Sequence, residues 1–159
     1  MAGWRDEKLG ELVEEYKYQS VRELGQKLAE ILDGVLPCFE EEVIVVPLPT
    51  LNRHIRERGL DHTYTIAKKL ARMRGWQVEK ILVRTGTNVQ VGANRAERIK
   101  QASEAYGLKE DARIDRNKLY LMVDDVWTTG ASMEAAARII KKAGARKLAA
   151  AVLVIGRDD

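Results

Sequence analysis

Two hydrophobic rhythms divide the chain. Near the amino terminus Leu9, Leu12, Val13 and Tyr16 recur at helical spacing, and Val21, Leu24, Leu28, Ile31 and Leu32 do so again, predicting two amphipathic helices. Ser20 followed by Glu23 has the form of a capping box for the second helix, and Gly34 fits just past its end. The pattern then changes. Val43-Ile44-Val45-Val46 is a β-branched run closed by Pro47, the mark of a strand buried on both faces. A loop rich in arginine follows, then a predicted helix over 61–74 with Ile66, Ala67 and Leu70 inward and Gly75 as its stop.

Further strands are predicted over 80–83, 119–123 and 148–155, and a helix over 132–143 that turns Met133, Ala136, Ala137 and Ile140 to one side and stops at Gly144. The segment 85–92, with two glycines and little to bury, is expected to be a mobile loop that folds over a bound ligand, and 94–104 has moderate helical character. Strands alternating with helices predict an α/β fold with a mainly parallel sheet flanked by helices. The expected organisation is a single domain over 1–159, with an amino-terminal helical addition at 1–34 and an α/β core at 42–159.

The segment that stands out runs from Leu119 through Asp124-Asp125-Val126-Trp127 to Thr128-Thr129-Gly130-Ala131-Ser132. A strand ends in two acids, turns through small residues and enters a helix. A helix amino terminus offers unpaired N–H groups and partial positive charge, which suit a phosphate. Gly130 allows close approach of the backbone, while Thr128, Thr129 and Ser132 supply hydroxyls. Asp124 and Asp125 can accept from the vicinal hydroxyls of a ribose and can orient water around a magnesium ion held by a diphosphate. Neither a Walker loop nor a dinucleotide fingerprint fits, because no Gly-Lys-Ser/Thr follows and three spaced glycines are missing.

This ordered pattern closely resembles the signature of the type I phosphoribosyltransferases. Val46-Pro47-Leu48-Pro49 with Arg56-Glu57-Arg58-Gly59, then Thr87 with Gln90, Arg95 with Arg98, and Ala105-Tyr106, resembles the ComF branch in order and spacing. The resemblance runs from about Tyr16 to the end. It implies the type I fold, 5-phosphoribosyl 1-pyrophosphate (PRPP) as ligand, Mg2+ as cofactor, and transfer of the phosphoribosyl group to a nitrogenous base. It assigns Asp124, Asp125 and Arg98 to the reaction, Thr128, Thr129, Gly130, Ala131 and Ser132 to the sugar phosphate, and Arg56, Arg58 and Gly59 to pyrophosphate. Arg53 and Arg84 are further candidates for the diphosphate. The alternative is a regulator that senses PRPP or a nucleotide without catalysis, or a ComF-type accessory protein linked to DNA uptake.

The sequence also departs from the branch. The four-cysteine zinc ribbon of many members is missing, Leu60-Asp61-His62 stands in place of Phe-Asn-Gln, and Gln101 replaces an asparagine. Hypoxanthine–guanine enzymes carry an aspartate at the position of Thr128, so the resemblance disfavours those bases and leaves the acceptor base unknown.

Composition narrows the rest. With 27 basic and 24 acidic residues the net charge is +3, which gives no indication of a nucleic-acid partner; a homodimer is allowed. Cys38 is the sole cysteine, so no internal disulfide forms, and it is expected as a small buried filler. His54 and His62 have no partners at ligand spacing. Trp127 and the run Tyr16-Lys17-Tyr18 are expected to pack rather than to bind ligand. No apolar run approaches the roughly 18 residues of a membrane span, and the amino terminus has no apolar signal region. The expected location is the cytoplasm.

Overall fold

The computed structural model describes residues 2–4, 7–19, 22–85 and 106–156. Its elements are β1 (Ala2–Trp4), α1 (Glu7–Gln19), α2 (Arg22–Gly34), β2 (Val43–Pro47), α3 (Asn52–Arg58), α4 (His62–Arg74), β3 (Gln77–Val78), β4 (Leu82–Arg84), β5 (Tyr106–Leu108), β6 (Leu119–Trp127), α5 (Ala131–Lys142) and β7 (Lys147–Ile155). Five strands form a parallel sheet in the order β1-β7-β6-β2-β3, and β4 and β5 form a separate antiparallel pair.

Helices cover both faces of this sheet, which is why β2 carries no polar position. Every one of its five residues is buried. Val43 and Val45, with Leu119, Leu121 and Val123 of β6, face a cluster made with Val13, Leu28, Leu32, Ile66 and Leu70 of α1, α2 and α4. Ile44 and Val46, with Tyr120 and Met122, face Met133, Ala136 and Ile140 of α5. Each fully buried leucine or isoleucine there contributes about 1.5–3 kcal/mol from removal of apolar surface. Pro47 closes β2 at no cost to the ladder. The Leu48 N–H bonds the Val123 carbonyl at 2.9 Å, so Pro47 turns its missing donor towards β3, which pairs only with Ile44 and Val45.

Four expectations need correction. The arginine-rich segment is the short helix α3, ended by Gly59 at φ 69, and not a loop. The strand expected over 80–83 lies at 82–84 and joins β5 outside the main sheet. Strand β6 continues past Val123 to Trp127 because β7 pairs with it along the whole length, so both acids sit within a strand and not after it. Cys38 is exposed. Strands β1, β3 and β5 carry only two or three residues each and gave no periodic signal. Ser20 of the expected capping box, and all but Thr85 of the expected loop at 85–92, lie outside the described residues.

Candidate functional site

The two acids are neighbours in β6, and their carboxyl groups act directly on one another. Asp125 has the parity of Leu119, Leu121 and Val123 and faces the layer of α1 and α4; its Oδ2 lies 3.0 Å from Lys17 Nζ of α1. Asp124 borders a small cavity of about 50 Å³, lined also by 126–133 and Val152. The Asp125 backbone N–H donates to Asp124 Oδ1 at 2.9 Å and ties the pair together. Burial, and then the charge of Asp125, hold the Asp124 carboxyl well above the usual carboxylate range. For Lys17 burial opposes the charge, but Asp125 and Glu14 outweigh it and raise its pKa.

Past the end of β6 at Trp127 the chain turns into α5. Gly130 is the N-cap, with φ 77, a left-handed conformation that a residue with a Cβ enters only with strain. A Cβ there would also meet the Trp127 ring, with Cε2 at 2.8 Å. The Ala131 N–H donates weakly to Thr129 Oγ1 at 3.4 Å, and the Gly156 N–H bonds the Trp127 carbonyl at 2.7 Å. Trp127 therefore packs over the turn, as expected from the sequence. The loop presents the first turn of a 12-residue helix beside the Asp124 carboxyl.

Next to this, at the carboxyl end of β2, opens a cavity of about 600 Å³. Pro47 pairs with Val123, one residue before Asp124, which fixes how near the cavity lies to the acids. Leu48, Leu51, Ile55, Leu82 and Val83 give it apolar walls; Arg53, Arg56, Lys80, Arg84 and Lys109 bring positive charge. Asp61, also in the wall, accepts from the Tyr64 N–H as cap of α4 and pairs with Lys80 at 3.1 Å. Among the described residues the buried Arg84 Nε has no hydrogen-bond partner.

Arg56 lines the cavity, whereas Arg58 and Gly59 lie at the end of α3. Arg58 acts on the buried ring of His62, whose pKa is lowered first by burial and then by that guanidinium; Asp125 acts on the same ring in the opposite sense. Arg58 and Asp125 thus both lie within electrostatic range of His62. Thr128 to Ser132 lie together beside Asp124. Arg98, Arg95, Gln90 and Gln101 lie outside the described residues. Lys80 and Lys109 were not singled out from sequence, and Lys17 was read only within the run Tyr16-Lys17-Tyr18, expected to pack, whereas its ammonium pairs with Asp125. Only Lys17 carried a readable signal, being four residues after Val13 on the apolar stripe of α1.

An open parallel sheet with an acid pair, a left-handed glycine and a helix amino terminus at the strand ends is the architecture of a phosphoribosyltransferase. Sequence comparison agrees: residues 55–159 match the phosphoribosyl transferase domain family, and the chain belongs to it. No curated protein matches the sequence. Among solved structures, the chain is similar to the allosteric regulatory enzyme of purine biosynthesis (TM-score 0.58, 18% identity, 88% of this chain and 30% of that one). It is also similar to glutamine PRPP amidotransferase from B. subtilis (TM-score 0.56, 17% identity, 87% of this chain and 30% of that one). The chain spans less than a third of either, and at these identities the likeness is one of fold. Among the described residues no helix is long and apolar enough to cross a membrane, and no group of three or more His, Cys, Asp or Glu is placed to hold a metal ion.

Proposed function

We propose that this chain binds PRPP with Mg2+ and transfers the phosphoribosyl group to a nitrogenous acceptor, with release of pyrophosphate. The observation that carries the reading is the continuity of Asp124, Asp125 and the left-handed Gly130 turn with a cationic cavity one strand away. In this reading the first turn of α5 and the hydroxyls of Thr128, Thr129 and Ser132 hold the 5-phosphate. Asp124 and Asp125 accept from the ribose hydroxyls. Arg56 and Arg58, with Arg98 beyond the described residues, face the diphosphate, for which the fixed fork of a guanidinium is suited. The acceptor nitrogen forms its bond to C1 as the bond from C1 to the diphosphate oxygen breaks, and the electron pair leaves with pyrophosphate.

The donor set fits magnesium. Two adjacent carboxylates are hard oxygen donors, and an ion that keeps its waters needs only one or two of them when phosphates supply the rest. Asp124 and Asp125 would hold it through such waters, and its chemistry there would be neutralisation of the leaving diphosphate. The finer placement in the ComF branch rests on Val46-Pro47-Leu48-Pro49 and Arg56-Glu57-Arg58-Gly59, and the single-domain organisation belongs to the same proposal. A screen of pyrophosphate release against a panel of bases, with PRPP and Mg2+, tests transfer. Release with a base supports an enzyme. Tight PRPP binding with no release for any base shifts the reading to a sensor or accessory protein.

A further inference from the structure

The amino-terminal helix reaches the acid pair through one side chain. Lys17 Nζ lies 3.0 Å from Asp125 Oδ2 and 3.3 Å from Glu14 Oε1, and the Lys17 and Asp125 side chains are only 13% and 18% exposed. This is no surface ion pair between two solvated groups, of the kind that contributes little. Helix α1 is also held in place next door. Tyr16 and His62 are both buried and meet edge to face, with ring centroids 4.7 Å apart and planes at 89°. The contact joins α1 to the start of α4, the helix capped by Asp61. Among the described residues no direct hydrogen bond in good geometry reaches the Tyr16 hydroxyl or the His62 ring nitrogens, and ring packing contributes to aligning the two helices. Lys17 precedes the stretch that matches the family, residues 55–159.

We propose that Lys17 is a positioning residue of the sugar site: by gripping one oxygen of Asp125 it fixes the carboxylate so that the other oxygen meets a ribose hydroxyl. Asp124 and Asp125 are adjacent, and Asp124 Oδ1 is already tied to the Asp125 N–H at 2.9 Å. Lys17 is thus the cation whose ion pair with Asp125 fixes one of its oxygens. A lysine also suits the place better than a neutral donor, since its compact charge satisfies Asp125 and Glu14 at once. The amino-terminal helices then belong to the binding site as well as to the core.

The inference rests on the proposed PRPP site, and one set of titrations separates the two. PRPP, ribose 5-phosphate and pyrophosphate are titrated, each with Mg2+, into wild type, Lys17→Met, Lys17→Arg, Asp125→Asn and the double variant Lys17→Met/Asp125→Asn. Melting curves verify folding, and Lys17→Gln serves if the methionine variant does not fold. Lys17→Met is expected to weaken PRPP and ribose 5-phosphate alike by about tenfold, the scale of a charge-assisted contact, and to leave pyrophosphate unchanged. Lys17→Arg should recover most of the loss. In the Asp125→Asn background the lysine change should add nothing, because it acts through that carboxylate. Unchanged PRPP affinity in Lys17→Met, an equal loss for pyrophosphate, or additive losses in the double variant would overturn the role of Lys17 alone. Wild type that fails to bind PRPP overturns the proposed function and this inference together.

Discussion

Gly130→Ala concentrates two separable costs on one methyl group. The first is conformational: φ is 77, and an L-residue held in the left-handed region loses about 1–2 kcal/mol. The second is steric. The new Cβ would sit against Cζ2 and Cε2 of Trp127, the latter at 2.8 Å, in a ring that packs on the cluster of Tyr120, Met122 and Met133. Overpacking of this kind costs about 1–3 kcal/mol. Together the substitution should destabilise by about 2–5 kcal/mol, against about 5–15 kcal/mol for a whole domain. At about 2–4 °C per kcal/mol for a domain of this size, the melting temperature should fall by roughly 4–20 °C. Urea denaturation of wild type, Gly130→Ala, Trp127→Leu and the double variant forms a cycle that divides the two costs. Removing the indole relieves only the steric part, so the double variant should be more stable than the sum of single losses predicts, by about 1–3 kcal/mol. An additive cycle would refute the steric argument, and a loss below about 0.5 kcal/mol in Gly130→Ala would refute both.

Other outcomes follow from the same geometry. Arg58→Ala should weaken PRPP by about tenfold or more, the scale of a charged contact, and ribose 5-phosphate far less; equal losses in titration calorimetry would mean that Arg58 acts on the fold or the general field. His62 is buried and its folded pKa lies below the ordinary 6.5, so the unfolded chain binds the proton more readily. The stability that His62 lends is therefore complete above about pH 6.5 and is lost as pH falls from there towards the folded value. Chemical denaturation between pH 5 and 8 should show this slope, and His62→Phe, which keeps an aromatic edge against Tyr16, should flatten it. An unchanged slope in the variant would remove His62 as its source.

The sequence revealed most where burial is two-sided or the chemistry is crowded into one turn. Strand β2 was legible because a strand covered on both faces has no polar position, and α4 because Asp61 and Gly75 mark both its ends. The segment 124–132 was legible because acids, hydroxyls and glycine follow one another within a few residues. Short strands were not, since β1 and β3 are edge strands of three and two residues held by pairing and not by pattern. Helix α3 buries no residue, so it leaves no hydrophobic period to read. Lys17 shows the deeper reason. Its position on the apolar stripe of α1 was visible, but its partner Asp125 lies more than a hundred residues along the chain, and only the packing of α1 against the sheet joins them. The same holds for the cavity, whose walls come from the β2–α3 segment and from the β4–β5 pair.

The account turns on whether Asp124 and Asp125 hold a ribose. Titration calorimetry of PRPP into wild type and into Asp124→Asn/Asp125→Asn, with and without Mg2+, measures that directly. The double substitution removes the charge of an acid that burial and its neighbour already disfavour, but it also takes the charge partner from the largely buried Lys17, so melting curves verify that the variant is folded before it is titrated. Wild type should bind PRPP in a magnesium-dependent manner, and the folded variant should show no magnesium-dependent binding. Wild type that does not bind, or a folded variant that binds with unchanged affinity, would contradict the assignment of this strand end as a sugar-phosphate site.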